Sequence, residues 1–138
     1  MSTDEQAPLA TVWYVDDGDA IVFLVRRRLQ RMGFAVVGHT NAREALAALQ
    51  DPAVVVDLVV TDQNMPVMSG LDFAAAVKAL RPALRVALSS GVVDDTLRQR
   101  ARAVGVDALI DKGVEVETLF DTIAQLATAG PSVNGGPG

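Results

Sequence analysis

Short β-branched runs alternate with helical stretches five times along this chain, and no other feature restricts its fold as strongly. Thr11-Val12-Trp13-Tyr14-Val15 opens the series. It is β-branched and aromatic, is bounded by Asp16-Asp17-Gly18, and reads as a strand buried on both faces. Asp19 is placed to cap a helix of about 13 residues that Gly33 stops. In that helix Ala20, Phe23, Leu24, Arg27 and Arg28 recur on one side, with Arg26 and Gln30 on another. Ala35 to Gly38 gives a second strand, and Asn41 caps a helix over Ala42 to Gln50 that Asp51-Pro52 breaks. A third strand runs from Asp57 to Thr61, followed by a loop through Pro66 and Gly70 and a helix from Leu71 to Leu80. Arg85 to Ser89 is the fourth strand, Thr96 to Val104 the most polar helix, and Ala108 to Ile110 the fifth strand. Val116, Leu119, Phe120, Ile123 and Leu126 then mark a last amphipathic helix by their spacing of three and four.

Strands that alternate with helices pair in parallel, because each right-handed crossover lays its helix over the sheet. The expected fold is therefore α/β: a doubly wound, five-stranded parallel sheet with helices on both faces, taken in the flavodoxin-like strand order 2-1-3-4-5, one of the common orders that such alternation allows. At 138 residues, half of them hydrophobic, the chain has room and apolar surface for one such domain. We expect an N-terminal extension over 1–10, the domain over 11–127 and a disordered Gly- and Pro-rich tail over 128–138. A formal net charge of −5 has the wrong sign for neutralising many phosphates, so no nucleic-acid partner is expected. Without a long apolar run or a basic leader, no membrane association is expected and the location is read as cytoplasmic. Met1 favours a complete stand-alone protein, although the Gly- and Pro-rich end is also what a linker would look like. The absence of cysteine excludes disulfides, thiolate nucleophiles and cysteine metal sites, and a single histidine excludes a His-rich zinc site.

In such sheets the ligand crevice lies outside the carboxyl ends of the strands. There the sequence places Asp16-Asp17 after the first strand, Asp62 after the third, Ser89-Ser90 after the fourth and Asp111-Lys112 after the fifth. Three crowded carboxylates repel one another unless a cation joins them. Oxygen donors without His or Cys favour a hard ion, and Mg²⁺ fits best because it takes one or two carboxylates and shares its other positions with water and phosphate oxygens. Lys112 adds a mobile cation suited to a phosphoryl oxygen, and Ser89 a hydroxyl donor. The set suits phosphoryl transfer, in which an Asp carboxylate can itself accept the group as an acyl phosphate. Any one of these residues has a plainer explanation. A strand-end Asp often caps the next helix, and a lone Lys is usually solvated. Asp19, Asp57, Asp94 and Asp95 read as caps or surface charges, and it is the joint placement of the others at four strand ends that points to a site.

With Val15-Asp16-Asp17, Thr61-Asp62-Gln63-Asn64-Met65-Pro66-Val67-Met68-Ser69-Gly70, Ser89 and Lys112 in that order, the chain resembles the receiver domain of bacterial two-component response regulators, in the arrangement of the stand-alone chemotaxis regulator. The resemblance covers roughly Thr11 to Ala127. It implies that Asp62 is the phosphoacceptor, receiving the group from a sensor histidine kinase or a histidine phosphotransfer protein. It further implies Mg²⁺ held by Asp17, Asp62 and the backbone carbonyl of Asn64, with Asp16 acting through water. Ser89 would hydrogen-bond the phosphoryl group, Lys112 would pair with it, and Asn64 sits where receivers tune hydrolysis. Gly70 would allow the tight return of the loop. The output would pass to a downstream protein that the sequence does not name. Catalysis would be limited to the domain's own phosphorylation and dephosphorylation.

Two positions depart from the family. Leu109 stands where many receivers carry the Tyr or Phe of an aromatic switch, and Gly113 stands where a cis-proline usually follows the lysine. A non-proline cis bond costs ~3 kcal/mol, so a trans bond or a rearranged loop is expected at Gly113. Gly91 leaves the loop before the fourth helix free to move by another route. Arg26, Arg27, Arg28 and Arg31 read as a solvated face on the helix where receivers meet their histidine donors. Trp13 reads as core and His39 as structural rather than as a phosphodonor. Two other functions fit less well. A degenerate receiver acting as a scaffold is suggested by Leu109 and Gly113 and opposed by the intact acids and Lys112. A Mg²⁺-dependent aspartyl-phosphate phosphatase generally needs a second acid two residues past the nucleophile, where this chain has Asn64.

Overall fold

The computed structural model describes residues 7–130. Its elements alternate as the sequence pattern requires: β1 Thr11–Val15, α1 Asp19–Arg31, β2 Ala35–His39, α2 Ala42–Leu49, β3 Leu58–Asp62, α3 Gly70–Leu80, β4 Arg85–Ser90, α4 Asp95–Val104, β5 Ala108–Asp111 and α5 Val116–Ala127. The five strands are parallel in the order β2-β1-β3-β4-β5. This is the expected doubly wound sheet. The tail expected from residue 128 lies outside the described residues beyond Gly130, as do the first six residues of the N-terminal extension. Gly130 itself accepts a hydrogen bond from Arg85 Nε at 3.0 Å.

Each face of the sheet buries its own apolar layer, because alternate residues of a strand point to opposite sides. Val12 and Tyr14 of β1 join Val22, Val25 and Leu29 of α1 and Phe120 and Ile123 of α5. Trp13 and Val15 point the other way, into a layer with Ala45 and Leu49 of α2, Phe73 and Val77 of α3, and Leu97 and Ala101 of α4. The central strand carries polar side chains only toward its carboxyl end: Leu58, Val59 and Val60 of β3 are fully enclosed, and Thr61 and Asp62 follow them. Trp13 is core, as expected.

Several boundaries move, each for a local reason. Asp19 is not the cap of α1. Gly18 holds that position in an extended conformation without a side-chain cap, and Asp19 is the first helical residue, where its charge faces the positive end of the helix dipole. The core stripe of α1 is Val22, Val25 and Leu29, whereas Phe23 and Leu24 are exposed at 48% and 61%. Val22 seats over Gly38 of β2, where any Cβ would collide with its Cγ1. Asp57 precedes β3, and its carboxylate accepts a hydrogen bond from Thr11 N at 2.8 Å. Gly33 does stop α1. With φ at +102° it lets Phe34 N donate to Leu29 O and its own N–H to Gln30 O, the paired bonds of a Schellman end.

Candidate functional site

The sheet's carboxyl edge collects the polar strand-end residues because β1 and β3 are adjacent and β4 and β5 follow beside them. Asp16 and Asp17 leave β1, Asp62 closes β3 in register with Ser89 of β4, and Ser90 pairs with Asp111 of β5, just before Lys112. One carboxylate oxygen from each of Asp16, Asp17 and Asp62 lies within 4.8 Å of the others. Asp16 and Asp62 are buried, and Asp17 is exposed at the mouth.

Lys112 answers part of this negative charge. Its Nζ lies 2.6 Å from Asp62 Oδ1 and 3.9 Å from Asp16 Oδ2. Asp62 Oδ1 is enclosed and accepts no well-aligned hydrogen bond from any described group, so the ammonium meets it as an ion pair. Asp16 is fixed by Gly18 N, which donates to Oδ1 at 3.0 Å, and by Tyr14 Oη, which donates to Oδ2 at 3.5 Å. Burial raises the affinity of Asp16 for its proton above the ordinary carboxylate range, and the Asp62 and Asp17 carboxylates act in the same direction. The Gly18 N–H and Lys112 oppose them. The Tyr14 phenol is pushed well above its ordinary value by burial and then by Asp16 and Asp62, so it stays a hydroxyl and can donate.

The loop after β3 is drawn back tightly under the site. Gln63 N donates to Ser89 O at 2.8 Å, Gly70 N donates to Gln63 O at 3.0 Å, and Leu71 N donates to Gln63 Oε1 at 2.9 Å. A Cβ on Gly70 would meet the Asp62 carbonyl oxygen, Leu88 Cδ1 and Gln63 Cα, all inside any tolerable separation. Ser69 caps α3 by accepting from Asp72 N at 3.1 Å.

The remaining sequence-derived residues fall as follows. Ser89 is buried at the edge beside Asp62, and Asn64 is exposed in the loop two residues past it. Leu109 is half-buried and packs into the layer shared by α3 and α4, with no ring or hydroxyl to move. Every described peptide bond is trans, Lys112–Gly113 included, and Gly113 N donates to Asp111 Oδ1 at 2.8 Å. Nothing lies within 4 Å of a Cβ built on Gly91. Asp94 caps α4 by accepting from Leu97 N at 2.9 Å. His39 packs against Trp13 with ring centroids 4.5 Å apart and the planes tilted by 45°, its Nε2 enclosed and without a hydrogen-bond partner among the described residues. Tyr14 and Gln63 were not among the sequence-derived candidates. Tyr14 could have been found by counting two residues back from Asp16, which puts both side chains on one face of the sheet.

The donor set is a close group of hard oxygens, one of them open to solvent, with neither imidazole nor thiolate. Such donors suit a hard divalent cation such as Mg²⁺ better than zinc or copper. A neighbouring ammonium and a buried hydroxyl suit an anionic group placed against Asp62.

The response regulator receiver domain family matches residues 12–124 of the sequence, and the chain belongs to that family. Ethylene receptor 2 of Oryza sativa subsp. japonica is 31% identical over 113 residues, which cover 79% of this chain and 15% of the receptor. The chain thus spans only a small part of the length of that relative. Among solved structures, the chemotaxis protein CheY4 of Vibrio cholerae is similar with a TM-score of 0.76 at 31% identity, covering 85% of this chain and 98% of that one. The response regulator protein TrrA from Thermotoga maritima, in complex with Mg²⁺-BeF, shares the fold with a TM-score of 0.72 at 24% identity, covering 85% of this chain and 98% of that one. A receiver domain is a signalling module of two-component pathways, and no described helix is long and apolar enough to cross a membrane.

Proposed function

We infer that this receiver domain accepts a phosphoryl group on Asp62 from a phosphohistidine of a sensor kinase or phosphotransfer protein, and signals through contacts with a downstream protein. The observation that carries this reading is the pairing of a buried Asp62 carboxylate with the Lys112 ammonium at 2.6 Å, within the same cluster as Asp16 and Asp17.

In the transfer, an oxygen of Asp62 bonds to phosphorus as the bond from phosphorus to the donor imidazole nitrogen breaks, and the imidazole leaves as the neutral base or takes a proton. Mg²⁺, held by Asp17, Asp62 and the Asn64 carbonyl with Asp16 behind a water, would neutralise charge on the phosphoryl oxygens. Lys112 is free to swing from the Asp62 carboxylate to a phosphoryl oxygen, since its side chain is 41% exposed and its stem flexible. Ser89 faces Asp62 across the β3–β4 ladder, where its hydroxyl can donate to the same group. Lys112 thus exchanges one anion for another and leaves no buried charge unpaired.

The exposed face of α1 fits the donor protein. Ile21, Phe23 and Leu24 are exposed and line one groove with Val116 of α5, together with Arg27 and Arg31 of the same helix. Contiguous exposed apolar side chains rimmed by cations suit a helical partner bearing carboxylates. A Leu24→Asp variant should take a phosphoryl group from a phosphohistidine protein at least about tenfold more slowly than wild type, the loss of one central contact residue. Its labelling by acetyl phosphate should not change. Equal rates from the protein donor would remove α1 from the docking surface.

A further inference from the structure

We propose that Tyr14 is a positioning residue of the phosphoryl-transfer site, its buried hydroxyl holding the Asp16 carboxylate turned toward Asp17 and Asp62. The inference rests on the reading of that cluster as a Mg²⁺ site. Tyr14 and Asp16 are two apart on β1 and its carboxyl end, and therefore share a face of the sheet. The ring of Tyr14 is packed in the layer between the sheet and α1 and α5, 4% exposed, so its reach toward the carboxyl edge is fixed by the core. The hydroxyl finds one hydrogen-bond partner among the described residues, Asp16 Oδ2 at 3.5 Å.

The other contacts of Asp16 make that bond consequential. Oδ1 is already committed to Gly18 N at 3.0 Å, and the cation paired with Oδ2 among the described residues is Lys112 Nζ, 3.9 Å away. Lys112 Nζ itself lies closer to Asp62 Oδ1, at 2.6 Å. Without the phenol, Asp16 Oδ2 competes for the same ammonium, and the carboxylate loses one of the two groups that set its rotamer. A neighbour that orients a metal-facing carboxylate typically changes metal affinity by about 10- to 100-fold when removed. The long Tyr14–Asp16 separation puts the expected change at the lower end of that span.

The test is calorimetric titration of the full chain with Mg²⁺, comparing wild type, Tyr14→Phe, Asp16→Ala and the double variant. Tyr14→Phe keeps the ring and its packing. We expect it to weaken Mg²⁺ about tenfold, and to add little to Asp16→Ala, because the two side chains act as one unit. Unchanged affinity in Tyr14→Phe, or an equal loss with and without Asp16, overturns the proposal and leaves the Mg²⁺ reading intact. Wild type that binds no Mg²⁺ overturns both. Should Tyr14→Phe not fold, the sole tyrosine offers a second route. Fluorotyrosine incorporated throughout labels Tyr14 alone, and its ¹⁹F resonance should shift along the Mg²⁺ binding curve. A resonance that stays fixed through saturation refutes the coupling.

Discussion

His39 shows how much a single side chain's surroundings can add to its identity. Burial lowers its pKa below the ordinary 6.5, and Glu44 opposes the shift only in part. As pH falls through 6.5 the unfolded chain takes up a proton that folded His39 declines, so stability is lost from there down to the folded pKa. Urea midpoints of wild type should therefore fall between about pH 7.5 and about pH 5.5, and a His39→Phe variant, which keeps an aromatic ring against Trp13, should show a flatter profile. Parallel profiles for the two proteins would assign the slope elsewhere. Asp16 cannot mimic this trend, since a carboxylate with raised affinity for its proton gains stability as pH falls. At this scale the sequence was informative where chemistry and position coincide: Asp16, Asp17, Asp62, Ser89 and Lys112 each stand at or just past a strand end and each arrive at one edge. Tyr14 shares a sheet face with Asp16 by strand placement, but whether its hydroxyl reaches the carboxylate depends on side-chain geometry that placement does not specify.

Between elements, the tightest constraint is the return from β3 into α3 at Gly70. A methyl group there has no space against the Asp62 carbonyl, the Gln63 backbone and Leu88. Two of those three neighbours are main chain and cannot swing aside. Gly70→Ala should accordingly destabilise the domain by about 1–3 kcal/mol, the usual penalty of overpacking, and should weaken Mg²⁺ binding because relief moves Asp62. A denaturation midpoint within error of wild type would show the loop to be more compliant than its contacts imply. The reading of α1 illustrates what periodicity leaves open. Phe23 and Leu24 are bulky and apolar, yet the smaller Val22 and Val25, with Leu29, face the sheet. Two candidate stripes a residue apart differ only in rotation about the helix axis, and that rotation is set by the Gly18 turn and by the space above Gly38. The helix itself, its length and its Gly33 end were legible, since capping chemistry is local.

For the whole molecule, strand order does most of the functional organisation. Placing β1 and β3 side by side brings together carboxylates that are far apart in the chain, and adding β4 and β5 on the same side completes the ring with a hydroxyl and an ammonium. The alternation of elements made the parallel, doubly wound sheet legible before any side chain was placed, because right-handed crossovers lay each helix over it, whereas the order 2-1-3-4-5 came with the resemblance to receiver domains. Leu109 packs beside α3 and α4 without a ring, and Lys112–Gly113 is trans, while Lys112 still pairs with Asp62. Acceptance on Asp62 comes first, since any transmission depends on it. Intact-mass spectrometry after incubation with acetyl phosphate tests it most directly, with and without Mg²⁺, on wild type and Asp62→Asn. One added phosphoryl group that requires both Mg²⁺ and Asp62 is the expected result. A wild-type chain that binds Mg²⁺ yet stays unmodified at every time point, including those short enough to catch a rapidly hydrolysed acyl phosphate, would contradict it.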